Sequence, residues 1–221
     1  MRIALVNPNT SAATTAAMVA IAQEAAGDVP VRGLTAPFGA PLITEPAALA
    51  VAAEAVASLA PDLAAADAVI VAAFGDPGLD ALRARLASPV TGLAEAGMAE
   101  AAAEGRRFAV VTTTPDLAAA IAAIAARYGH RRFAGTWLTP GDAAARMADP
   151  DALVVALGEA CRAAVEEGGA EAIVIGGGPL AQAARALAGT VGVPLIEPVP
   201  AAVRLSLTRL ASVDRGPERP S

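Results

Sequence analysis

Short aliphatic runs alternate along this chain with longer stretches dominated by alanine. The runs RIALV, VPVRGL, AVIVAAF, PVTGL, RFAVVTT, RFAGTWL, AIVIGG and VPLIEP each predict a strand. They are apolar almost throughout instead of alternating with polar residues, as strands of a parallel sheet covered on both faces must be. Between them, TTAAMVAIAQEAA, EPAALAVAAEAVASLA and DALVVALGEACRAAVEEG carry Ala and Leu at helical spacing, with Glu or Arg interspersed. Strand followed by helix, repeated, predicts the α/β class with right-handed crossovers.

The strand runs recur at a nearly constant offset. RIALVNPNT starts at Arg2 and RFAVVTTTP at Arg107; AVIVAAFGDPGL starts at Ala68 and AIVIGGGPL at Ala172; PVTG starts at Pro89 and PLIE at Pro194. Three coincidences of this kind predict two similar Rossmann-like lobes with parallel sheets, residues 1–104 and 105–212, related by a pseudo-twofold axis with a cleft between them. The segment 213–221, polar and containing Pro and Gly, is expected to be a loose tail. Under this pairing Ala73 matches Gly177, each where a strand ends. Ligands of open α/β sheets bind outside the carboxyl ends of strands. Those ends also supply Asn7, Pro8, Asn9, Thr10 and Ser11 from the first lobe and Thr112, Thr113 and Thr114 from the second.

Composition narrows the chemistry. The 221 residues suffice for a sizeable core, and 55% hydrophobic with 17% charged residues is a globular balance. All 16 cationic side chains are Arg, so Schiff-base chemistry and a phosphate-binding P-loop lysine are excluded. His130 and Cys161 stand alone, too few for a metal cluster of nitrogen and sulfur ligands or for an intrachain disulfide. No metal and no cofactor is expected. A net charge of -6 argues against nucleic acid as a partner. No apolar stretch is long enough for a membrane span, and the start MRIALVNPNT lacks a leader pattern, so a soluble cytoplasmic protein without a membrane partner is expected. So much aliphatic surface also leads us to expect a homo-oligomer.

NPNTS after the first strand, FGAPLITEP, FGDPGL, and IGGGPL followed by VPLIEPVPAAV together resemble the Asp/Glu and hydantoin racemase superfamily, closest to its hydantoin racemase branch. The resemblance covers nearly the whole chain up to the tail. It implies two α/β lobes, no cofactor, and a small substrate with a carboxylate or imide-like group. It also implies two cysteines, one from each lobe, on opposite faces of an acidic carbon, one thiolate removing a proton while the other thiol returns one. Matched residue by residue, those positions are Ala73 and Gly177. The family's two-thiol mechanism is therefore not available here. Cys161 lies in a helical pattern and reads as a small core residue.

The remaining candidates are weaker acids, bases and donors. Asp76 in FGDPGL and Glu197 after VPLI are candidate acid–base groups, Asp76 having the alternative of a turn aspartate that bonds local backbone. Asn7, Asn9, Thr10, Ala73, Phe74, Gly75, Thr112, Thr113, Gly177 and Gly178 are candidate substrate contacts. The glycines at 176–178 either present N–H groups to a ligand or simply make a tight turn. Asn9, Thr10 and Ser11 could equally cap a helix. His130, between Gly129 and two arginines, reads as a solvated surface residue. Three functions follow: an isomerase of the racemase type using carboxylates or water, a decarboxylase or lyase working through an enolate, or a ligand-binding protein without chemistry.

Overall fold

The computed structural model describes residues 1–141, 148–177 and 180–214. Each apolar run forms a strand: β1 (Ile3–Asn7), β2 (Val31–Thr35), β3 (Ala68–Val71), β4 (Val90–Gly92), β5 (Phe108–Thr112), β6 (Phe133–Leu138), β7 (Ala172–Ile175) and β8 (Leu195–Ile196). The first four make a parallel sheet in the order β2-β1-β3-β4, and the last four make another in the order β6-β5-β7-β8. The plan is the same in both halves, down to register: Ile3 pairs with Ala68 as Phe108 pairs with Ala172.

Five helices follow strands of the first half: α1 (Ala12–Ala26), α2 (Pro46–Ser58), α3 (Ala60–Leu63), α4 (Leu79–Arg83) and α5 (Leu93–Ala101). In the second half come α6 (Ala118–Arg127), α7 (Pro150–Glu166), α8 (Ala181–Ala186) and α9 (Pro198–Asp214). Local sequence sets the ends. Ser11 stays extended while its Oγ accepts the Thr14 N–H at 3.2 Å, which starts α1, and Gly27 at φ 59 ends it. Asp149 does the same for α7 through the Ala152 N–H at 3.1 Å, with Pro150 pre-set in the first turn.

Successive strand residues feed different layers. Ile3 and Leu5 belong to a central core shared by both sheets, whereas Ala4 and Val6 belong to the outer core of the first lobe. Phe108 and Val110 join the central core, and Ala109 and Val111 the outer core of the second lobe. Burial on both faces is why these strands lack a polar alternation.

Two helices cross between lobes. α5 lies against β7 and β8 of the other sheet, with Gly97 so close to Val174 that an added Cβ would stand 3.0 Å from its Cγ1. Reciprocally, α9 packs on α1, β3 and β4 of the first lobe. Arg209 of α9 and Arg83 of α4 both bind the Glu95 carboxylate of α5, at 2.6 and 2.7 Å. Burial alone would raise the Glu95 carboxyl, but the two guanidiniums hold it below its ordinary range.

Two expectations change here. His130 is not a solvated surface group: its ring meets Phe108 edge-on at 5.3 Å, its Nε2 is buried without a partner, and burial lowers its pKa. Two arginines beside it gave the impression of solvent, but the chain turns the imidazole inward onto the aromatic start of β5. The final helix runs on to Asp214, so the segment expected to be a loose tail begins helical, and residues 215–221 lie outside the described ones. Among the described residues no helix is long and apolar enough to cross a membrane.

Candidate functional site

The carboxyl ends of β1, β3, β5 and β7 meet at a cleft open to solvent, whose space, open solvent included, is about 590 Å³. Asn9, Ala72, Ala73 and Phe74 line it from the first lobe, and Thr112, Thr113, Thr114, Gly176 and Gly177 from the second. Leu42 and Ile43, from the loop between β2 and α2, and Leu117, Ile121 and Leu180 complete an apolar wall. Ala73 and Gly177, paired by the sequence repeat, therefore face one space. No charged side chain lines it among the described residues.

Polar groups in the lining are organised by neighbours outside it. Asn7 is fully buried and does not line the cavity; its Nδ2 donates to Asn9 Oδ1 at 2.7 Å and to Thr15 Oγ1 at 3.0 Å. Asn9 Oδ1 also accepts the Ser11 N–H at 2.9 Å. With its oxygen held by two donors, Asn9 has its amide nitrogen to offer a ligand. Thr112 Oγ1 donates to the Gly176 carbonyl at 2.8 Å, tying the two strand ends of the second lobe together. Among the described residues, the main-chain N–H groups of Ala73, Phe74 and Gly177 have no acceptor. The cavity is thus a neutral, donor-rich edge facing an apolar wall, suited to a planar oxygen-bearing ligand.

Several sequence candidates sit elsewhere. The Asp76 carboxylate accepts the Ala94 and Glu95 N–H groups at 2.8 and 2.9 Å, capping α5, and is not in the lining. Burial pushes its carboxyl up to about 7, against those two donors and Arg83, which favour the charged form. Asp76 is a turn residue, but its carboxylate bonds backbone eighteen and nineteen residues away and not the local backbone expected of a turn aspartate. Glu197 is paired with Arg185 at 3.2 Å outside the cavity. Thr10 contributes its N–H to the Ala40 carbonyl at 3.1 Å, anchoring the loop that carries Leu42 and Ile43. Gly75, at φ 126, shapes the turn after Phe74 without lining the cavity, and Gly178 lies outside the described residues. Cys161 is buried in α7, and burial pushes its thiol up to about 12, so it stays protonated.

The apolar wall is what sequence reasoning missed. Leu42 and Ile43 were available in the PLITEP stretch, an apolar pair held between prolines in a loop, with Ile43 also packed against the central core. Leu117, Ile121 and Leu180 carry no such signal, because residues at helix starts read as ordinary core.

Two pseudo-symmetric α/β lobes, with a ligand cavity between equivalent strand ends and a helix exchanged each way, define the class. The chain belongs to the Asp/Glu/hydantoin racemase family, whose family model matches residues 3–206. A hydantoin racemase of Paenarthrobacter aurescens is 32% identical over 220 residues, covering 96% of this chain and 92% of the relative. The solved allantoin racemase from Klebsiella pneumoniae superposes with a TM-score of 0.90 at 32% identity, over 96% of this chain and 89% of that one. An arylmalonate decarboxylase shares the fold at a TM-score of 0.65 and 18% identity, over 99% and 94% of the two chains. By family this is a racemase-type isomerase.

Proposed function

We propose that the protein is a cofactor-independent isomerase that binds a small, neutral, hydantoin-like ring between its lobes and promotes proton exchange at the ring's acidic carbon. The observation that carries this is the cavity lining, which offers N–H, amide and hydroxyl donors but no charge. A zwitterionic amino acid would bury an ammonium there without a carboxylate partner, an expensive arrangement. An imide needs only donors and acceptors. The hydantoin and allantoin racemases among the relatives support the same substrate class.

In this mechanism a solvent base removes the proton from the ring carbon. The electron pair moves onto the adjacent carbonyl oxygen, the enolate is held by the free N–H groups at Ala73, Phe74 or Gly177, and water returns a proton to carbon. Without thiols, return occurs from whichever face water reaches. Proton NMR in deuterium oxide tests it: 5-substituted hydantoins should lose their ring C–H signal faster with the protein, whereas free Asp and Glu should not. The lining equally favours a second reading, a ligand-binding member that has kept the cleft without the chemistry. Thermal stabilisation by hydantoins with no acceleration of exchange would select it. Cytoplasmic location and assembly of several copies belong to the same proposal, the latter supported by exposed Phe38, Val51 and Val155 and testable by light scattering.

A further inference from the structure

The Asp76 carboxylate is turned to the start of α5 and away from the cavity, yet the chain goes to unusual lengths to hold it. Its φ of 48 is left-handed, and Gly75 and Gly78 on either side are left-handed too, at 126 and 77. Its own N–H closes the turn on the Ala73 carbonyl at 3.1 Å, and its carbonyl accepts the Leu79 N–H at 3.2 Å. Its carboxylate occupies the space a Cβ at position 92 would fill, so Gly92 is the residue that admits it. One side of Asp76 therefore fixes Ala73 and Phe74. The other side fixes the start of α5, the helix that rests on the sheet of the second lobe. Phe74 itself reaches across: a Cβ added to Gly176 would stand 3.3 Å from its ring.

We propose that Asp76 is a positioning residue, a latch that ties the Ala73–Phe74 edge of the cavity to α5 and so holds the two lobes at the spacing the ligand needs. It does not exchange protons with the ligand. The ionised carboxylate makes both N–H bonds at the helix start, where negative charge is favoured. Protonation withdraws one oxygen from that role and slackens the latch. The charged and titratable groups around it are Glu95 on α5, Arg83 on α4, Arg127 and Tyr128 at the end of α6, and Arg209 of α9 through Glu95. Their arginines keep Glu95 ionised, and burial places the Asp76 proton near neutrality, so the latch titrates where Glu95 does not. The ligand part of this inference rests on the hydantoin reading above; the latch does not.

Two measurements test it. In the ligand-free protein, hydrogen–deuterium exchange should rise together in residues 73–78 and 93–97 when Asp76→Ala or Gly92→Ala breaks the cap, the second variant leaving the aspartate itself in place. Calorimetry with 5-isopropylhydantoin on the wild type should show binding about fivefold tighter near pH 8 than near pH 6, with the dependence flattened in Asp76→Asn. Faster exchange confined to one of the two segments overturns the latch. So does binding that ignores pH in the wild type, or a pH slope that survives Asp76→Asn. If no hydantoin binds at any pH, the substrate reading falls, and the exchange experiment still decides the latch.

Discussion

Ala73 and Gly177 occupy equivalent strand ends, but their backbones accept different side chains. Gly177 sits at φ 147, outside the region side chains tolerate, whereas Ala73 has an ordinary backbone. Gly177→Cys should therefore cost about 1–3 kcal/mol in urea unfolding, while Ala73→Cys should leave stability nearly unchanged. Ala73→Cys would also restore one acid–base group to the cavity, and ring-proton exchange should accelerate by about a hundredfold over the wild type. His130 gives a second prediction. Burial lowers its folded pKa below 6.5, so between those values the unfolded chain binds more protons than the folded one. Its contribution to stability is complete above pH 6.5 and fades as pH falls through the folded value. The melting temperature should drop over that acidic range, and His130→Phe, which also removes the unpartnered Nε2, should reduce the drop.

At the level of elements, the exchange of α5 and α9 makes one central core out of two lobes. The Arg83–Glu95–Arg209 cluster sits where it matters: α9, encoded at the far end of the chain, is held to β4 and α5 of the first lobe. Arg209 also donates to the Val90 carbonyl and Thr91 Oγ1, at 3.1 and 2.9 Å. Glu95→Gln keeps the size of the side chain but leaves two half-buried guanidiniums without a counter-charge. It should destabilise by about 3 kcal/mol in denaturant titration, with enhanced amide exchange along α9. Leu157 of α7, fully buried in the outer core of the second lobe, tests the opposite kind of packing. Leu157→Ala should cost about 2–5 kcal/mol and leave α9 exchange unaltered until global unfolding.

Across the described residues, the strands, their parallel pairing and the two-fold plan were legible because the inner strands, buried on both faces, must be apolar at nearly every position, and the half-buried edge strands β2 and β6 share their short aliphatic pattern. The repeat at Arg2 and Arg107, Ala68 and Ala172, Pro89 and Pro194 fixed which strand ends are equivalent, and so placed Ala73 opposite Gly177. That neither position holds a cysteine was equally plain, since residue identity is a fact of the sequence. What each polar residue does was not. Asp76 lies three residues after Ala73 and looked like cavity chemistry, but its side chain turns to a helix start nearly twenty residues later. Asn7 looked like a ligand contact and instead orients Asn9, and Glu197 is held by Arg185. A hydrogen bond depends on where a side chain points and what stands there, quantities set only when distant segments pack. The same holds for Leu42, Ile43, Leu117, Ile121 and Leu180, whose part in the cavity wall follows from the gap left between two lobes. Periodicity and repeat, being local and cumulative along the chain, determined the architecture; direction and juxtaposition, which belong to the folded whole, decided the site.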